Sequence, residues 1–186
     1  LIPRIGMRMQ LTGKLVQADY YGRGPWENYA DRKSSTFLDR YSSPVSEMVT
    51  RYILPQENGH HTDTRWLALT QKSGKGLLFV SDDLFEFNVS NYLLETVSNG
   101  ESLNNDAPAG TAPRNKHIND YRPSDLVDLF IDQRMQGLGG NNSWGKLPLE
   151  KYLIRPGKSK VTYGFTLIPI GNRREIDRHF GFSEKK

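Results

Sequence analysis

The sequence contains no cysteine, so disulfides, thiol nucleophiles and Cys-ligated zinc are excluded. It lacks any run near the roughly 20 apolar residues a membrane helix needs. No signal-peptide pattern opens it. Histidine is scarce: His60, His61, His117 and His179 are the four present, without the His-x-x-x-His or related spacings of a metal site. His60 and His61 are adjacent, so on a strand they point to opposite faces and do not chelate one ion. A complete phosphate loop and a Gly-x-Ser-x-Gly elbow are also missing. No cofactor or metal ligand set is therefore expected within this chain. The formal charge is +4 and the pI about 9.2, yet there is no basic stripe. The densest group, Arg173, Arg174, Arg178, Lys185 and Lys186, is mixed with Glu175, Asp177 and Glu184. Phosphate backbones need a continuous basic track, so neither nucleic acid nor a membrane is an expected partner.

What is present suits sheets. Hydrophobic residues make up 36% and aromatics 11%, enough for a thin, sheet-based core rich in side chains that fit pleated surfaces. The 17 glycines and 10 prolines are spread along the chain as turn signals between short segments. Alternating patterns predict strands over Ile5–Gln10, Lys14–Tyr21, Thr64–Gln71, Gly76–Ser81, Leu84–Val89, Leu126–Met135 and Lys160–Ile170. Turns are expected at Pro25, Pro44, Asn58-Gly59, Ser73-Gly74 and Pro156-Gly157. Short helical turns are expected at Ser90–Glu95 and Glu27–Arg32. A polar Asn/Ala/Pro/Gly segment at about 98–116 reads as a long loop insertion. The whole is expected to be an all-β antiparallel sandwich or barrel. The opening residues alternate like a strand already under way, so the chain is expected to be cut from a longer protein.

Two segments invite chemistry. In Gly137-Leu138-Gly139-Gly140-Asn141-Asn142-Ser143-Trp144-Gly145, glycines permit sharp turns and close approach. Asn141, Asn142 and Ser143 supply donors and acceptors, and Trp144 offers a flat face for the C–H face of a sugar. Equally, Trp144 suits a plug at the end of a sandwich, and composition leaves both readings open. The second segment, Tyr20 to Arg32, crowds aromatics, Glu27, Asp31 and Arg32 behind a strand. Two glycosidase carboxyls must face each other across roughly 5 Å, which neighbours on one turn do not guarantee. A corner held by Arg–carboxylate bonds is expected instead. Asn88-Val89-Ser90 and Asn141-Asn142-Ser143 match the short glycosylation pattern.

Gly24-Pro25-Trp26-Glu27-Asn28-Tyr29-Ala30-Asp31-Arg32, Pro55-Gln56-Glu57-Asn58-Gly59, Phe85 to Tyr92 and Gly137 to Trp144 follow one another in order. Together they resemble the C-terminal domain of large bacterial β-galactosidases of glycoside hydrolase family two, over Pro3 to about Phe165. The resemblance implies that residues 1–186 are the C-terminal part of a galactose-mutarotase-like β-supersandwich, truncated at its N-terminal side. It implies a parent that hydrolyses terminal β-D-galactose residues by a retaining mechanism. The acid/base and nucleophile glutamates would lie in a (β/α)₈ barrel of the same parent chain, and none of the catalytic residues in this chain. The resemblance also assigns Trp144 the role of a sugar contact at the active-site rim. Asn141, Asn142 and Ser143 lie beside it, where the family often has acids in place of the two asparagines. It implies Mg²⁺ or Na⁺ in the parent, a homo-oligomer, and bacterial cytoplasm or periplasm without deciding between them. Two alternatives stand beside it: a free-standing carbohydrate-binding module, and a mutarotase-like isomerase pairing a Glu with His60 or His117.

Overall fold

The computed structural model describes residues 1–53, 57–94, 118–140, 142, 145–157 and 160–180. The insertion expected at about 98–116 lies outside them. The described fold is all-β and antiparallel. Its strands are β1 (Arg4–Thr12), β2 (Gln17–Gly24), β3 (Phe37–Pro44), β4 (His60–Thr70), β5 (Gly76–Ser90), β6 (Leu126–Met135) and β7 (Thr166–Ile170), followed by helix α1 (Arg174–His179). They form one sheet in the order β1-β6-β5-β4-β2-β3, with β7 also on β5.

The long strand β5 explains how one sheet encloses a core. Its first half pairs β7 through Gly76–Val80, and its second half pairs β6 through Glu86–Ser90. Between them Asp82, Asp83 and Leu84 are exposed. On β4, register shifts at His61/Thr64 and Thr64/Trp66 mark the bulged stretch where Asp63 takes φ 54°, and bulges bend strands. Side chains from both halves, among them Leu67, Leu69, Phe79, Phe85, Phe87, Leu129 and Ile131, meet in one main core. The odd-numbered positions Leu77, Phe79, Phe85, Phe87 and Val89 of β5 face this core on either side of the exposed middle. Leu78 and Val80 face the other side, where Trp66, Ala68, Ile170 and Ile176 form a second cluster under α1.

Several elements differ from expectation. The two strands predicted within Gly76–Val89 are one, because their period-two parity carries across Asp82 and Asp83. Of Lys160–Ile170 only Thr166–Ile170 pairs. The preceding segment is held by aromatic anchors, with Phe165 against Phe79 and the Tyr163 hydroxyl donating to Ile131 O at 3.4 Å. Strand β3 was not anticipated. It is an end strand exposed along most of its length, so no burial pattern marks it. Glu27–Arg32 is not a helical turn. Tyr29 and Arg32 exchange backbone bonds (Tyr29 N to Arg32 O 3.2 Å, Arg32 N to Tyr29 O 2.8 Å) around Ala30-Asp31. At the other predicted helical turn, the Ser90 hydroxyl accepts from Tyr92 N at 3.0 Å, and residues from 95 on lie outside the described set. The Ser73-Gly74 turn forms as expected, with Gly74 at φ 84° donating to Gln71 O at 2.8 Å. The mixed-charge tail folds back on the sheet, pairing Arg173 with Asp19 and Asp177 with Arg40.

Candidate functional site

The corner after β2 is organised by Asn28, which is fully buried. Its amide Nδ2 donates to Arg23 O (3.1 Å) and Trp26 O (3.0 Å), while Oδ1 accepts from Thr62 N (2.9 Å) and Thr62 Oγ1 (2.6 Å). One side chain thus uses nearly its whole bonding capacity to tie the corner to β4. The Glu27 carboxylate accepts from Gly59 N at 2.7 Å and from the Tyr52 hydroxyl. Burial, then the bond and charge of Glu27, push the Tyr52 phenol up to about 12. The corner is structural, as expected, but Glu27 and Asp31 bond backbone N–H groups. The Arg–carboxylate bond of this region is Arg23 to Asp63. Burial alone would raise the Asp63 carboxyl, but hydrogen bonds from Arg23 and Lys33 outweigh it and hold the group below its usual value.

Behind the corner lies a buried polar network. His60 Nδ1 is 2.6 Å from Asn88 Oδ1, and Nε2 is 2.9 Å from Glu86 Oε2. Asn88 Nδ2 donates to Asn58 O (2.6 Å), which leaves its Oδ1 facing His60 Nδ1. Glu86 Oε2 also accepts from Met135 N at 2.7 Å. Arg4 reaches in from β1, donating to Glu57 and Asn88, both at 2.7 Å. Its Nε lies 3.0 Å from Asp132 Oδ2 without hydrogen-bond alignment. Asp132 is fully buried against Gly6, where a Cβ would come within 1.9 Å of its Oδ1. Burial pushes its carboxyl up to about 7, against the opposing pull of Arg4 and His60. The neighbouring His61 is stacked on Tyr20 (5.0 Å, 21°) and touches Phe87. Burial and then the charge of His60 lower its imidazole to about 3.

This network does not offer catalysis. The isomerase alternative requires an accessible acid–base pair, and His60 does meet a glutamate. Its ring, however, is 0% exposed, stacked under Tyr29 at 5.3 Å, with both nitrogens engaged. No face remains for a sugar. His117 lies outside the described residues. Among the described residues, no group of three or more His, Asp or Glu is arranged to hold a metal ion. Asn88 is likewise buried and bonded, so the pattern at Asn88-Val89-Ser90 is not an accessible acceptor.

The glycine-rich loop is built differently. It leaves β6 with Gly137 N donating to Tyr152 O at 2.9 Å, and Gly140 N closes onto Lys146 O at 2.8 Å. Gly139 and Gly140 both take φ 69°, the left-handed region open to glycine. A Cβ on Gly139 would lie 2.5 Å from Lys146 O. From the other side, the Asp31 carboxylate accepts from Leu138 N (3.0 Å) and Gly139 N (2.9 Å). Of the four expected sugar-contact residues, Asn142 is described. It is exposed, and its Oδ1 accepts from Lys146 N at 3.4 Å. Asn141, Ser143 and Trp144 lie outside the described residues. Reading the sequence missed the junction between loop and corner. Both segments were singled out, but no spacing rule joins residues 107 positions apart.

Comparison with known proteins agrees with this arrangement of motifs. The family described as "Beta galactosidase small chain" matches residues 1–167. The chain belongs to this family. A β-galactosidase of Priestia megaterium is 33% identical over 172 residues, 91% of this chain and 15% of the relative. A β-galactosidase of Vibrio cholerae is 32% identical over 82% of this chain, and one of Staphylococcus xylosus 29% over 76%. The chain spans only 13 to 15% of the length of these relatives. The four motifs that carry the resemblance thus belong to a small-chain scaffold. In the described residues they meet around two centres, the His60 network and the Asp31 junction.

Proposed function

We propose that this chain is the carbohydrate-facing C-terminal part of a β-galactosidase that hydrolyses terminal non-reducing β-D-galactose residues. It contributes an aromatic sugar contact, Trp144, flanked by Asn141, Asn142 and Ser143. The catalytic carboxylates of a retaining reaction lie outside it, in the barrel of the parent. The observation that carries this reading is the contrast in bonding. The acidic groups Glu27, Asp31 and Glu86 are each bound to backbone N–H groups. The loop leading to Trp144 is fixed at its base and presents Asn142 to solvent. A side chain bound in this way holds structure; an exposed amide beside an aromatic is the composition of a sugar subsite. Divalent or sodium ions, if the complete enzyme uses them, are held by residues elsewhere.

The test uses the isolated 186-residue chain, freed of contaminating galactosidase. It is expected to leave a chromogenic β-galactoside intact, and turnover would refute the assignment of roles. Calorimetry with galactose is expected to give at best weak binding, on the order of millimolar, because one platform and a few hydrogen bonds must overcome the cost of association. Submillimolar affinity would favour a free-standing carbohydrate-binding module instead.

A further inference from the structure

We propose that the cleft between the corner after β2 and the segment after β3 is a carbohydrate site in its own right, one that takes a neutral oligosaccharide against Trp26. The proposal stands apart from the reading of Trp144, because among the described residues none of the Gly137–Lys146 loop lines this cleft. The cavity measures about 680 Å³, inside the roughly 300–1,000 Å³ of small-molecule sites and more than a single sugar ring fills. Three parts of the chain enclose it. They are Pro25-Trp26-Glu27 of the corner, residues of β3 and of the short 3₁₀ turn Val45–Glu47 with the segment beyond it, and the start of β4.

Aromatic rings grade from the interior of the cleft to its rim. Tyr20 and His61 are buried and stacked at 5.0 Å, and the half-buried Tyr41 lies 5.4 Å from Tyr20. Trp26 is 70% exposed, yet its backbone is fixed, the carbonyl accepting from Asn28 Nδ2 at 3.0 Å. Among the described residues no hydrogen bond or ring contact engages its indole. A flat ring left uncommitted on a rigid backbone is pre-organised for the C–H face of a sugar.

The polar lining is of the kind that hydroxyls need. Among the described residues the side chains of Ser46, Glu47 and Thr50 make no hydrogen bond. Arg51 commits one nitrogen, which donates to the Tyr92 hydroxyl at 3.0 Å. Sugar hydroxyls both donate and accept, and these four groups supply partners for both. The charges point the same way. Glu27 and Glu47 outnumber Arg51 along the cleft, which disfavours a phosphate or another anion. His61 adds no charge, because burial and then the charge of His60 lower its imidazole to about 3. A concave lining rich in hydroxyls favours a saccharide over a protein partner, which would bring an apolar centre to its interface.

The experiment is calorimetry of the complete enzyme with thio-linked galactotriose, which resists hydrolysis. Excess isopropyl β-thiogalactoside, a single ring, occupies the catalytic site. A binding event on the order of millimolar is expected to remain, weak because one aromatic face and a few hydrogen bonds carry it. Trp26→Ala is expected to weaken that event about tenfold. Ser46→Arg, which places a long side chain in the cleft from an exposed turn, is expected to abolish it. Turnover of a small chromogenic β-galactoside, retained in both variants, shows that they fold. Trp144→Leu is expected to leave the event in place, so failure here and failure of the Trp144 reading are read separately. Absence of the event in the unsubstituted enzyme, or its survival in both Trp26→Ala and Ser46→Arg, would overturn the proposal. So would loss of assembly of the complete enzyme in Trp26→Ala, since the cleft would then be an interface covered by protein.

Discussion

The His60 network and the Gly137–Lys146 loop are neighbours in the fold but opposites in construction. In the network, Arg4, Glu57, Glu86, Asn88 and His60 bond one another across three strands and the segment before β4, and His60 is sealed from solvent. In the loop, glycines remove side chains, backbone N–H groups supply the bonds, and Asn142 is left facing outward. The difference teaches where chemistry can reside. A histidine beside a glutamate looks catalytic in a sequence, yet its burial and saturated bonding make it scaffold. The loop, which presents Asn142 to solvent, is the part proposed to meet a ligand.

Breaking the network is expected to have the largest effect. Glu86→Ala leaves His60 Nε2 and Met135 N without their shared acceptor, at a cost of about 3 kcal/mol for two buried groups left unmade. Denaturant unfolding measures it, and a loss below about 1 kcal/mol would show that the network is not the scaffold described. The pH dependence sharpens the same point. The Asp132 carboxyl is raised from 3.8 to about 7, so its neutral form stabilises the fold. That contribution is complete below the unfolded value and is lost as pH rises through 7. The His61 imidazole is lowered from 6.5 to about 3, so its contribution is present above 6.5 and is lost as pH falls through 3. The two oppose each other between about pH 4 and 6.5. Asp132→Asn is expected to unmask His61, so that stability climbs more steeply with pH across that window. Relative to the parent, the variant should gain about 2–4 kcal/mol between pH 4 and 7. A profile parallel to the parent's would contradict the assignment.

Effects in the loop are expected to be smaller and local. Gly139→Ala forces a Cβ into a left-handed residue and toward Lys146 O, at about 1–2 kcal/mol. Faster amide exchange confined to residues 137–146 is the expected readout. If exchange also quickens across β4 and β5, loop and network are one unit, and the contrast between them dissolves.

How far the sequence foretold this structure depends on where each residue finds its partner. Strands β2, β4 and β6 announce themselves because burial on a sheet has a period of two, visible within a few residues. Strand β3 does not: Phe37, Leu38, Asp39 and Arg40 are all exposed, and its pairing with β2 leaves no trace in its own pattern. Helix α1 buries Ile176 alone among charged neighbours, too little to show a helical stripe. Conversely, Tyr163 and Phe165 alternate like a strand because they are anchors, although pairing begins only at Thr166. The corner and the glycine loop were visible as unusual compositions. Their junction was not, because Asp31 and Gly139 are joined only by the fold. The same holds for Arg4 and Asn88, 84 positions apart.

The central proposal is that Trp144 is the sugar contact this chain lends to a complete β-galactosidase, with the charged motifs as scaffold. Steady-state kinetics of the complete enzyme carrying Trp144→Leu tests it most directly. Loss of an aromatic platform should raise KM for a β-galactoside about tenfold, corresponding to about 1.4 kcal/mol, with the unfolding midpoint unchanged. An unaltered KM, or a KM change that merely follows a loss of stability, would return Trp144 to the role of a plug at the end of the sheet.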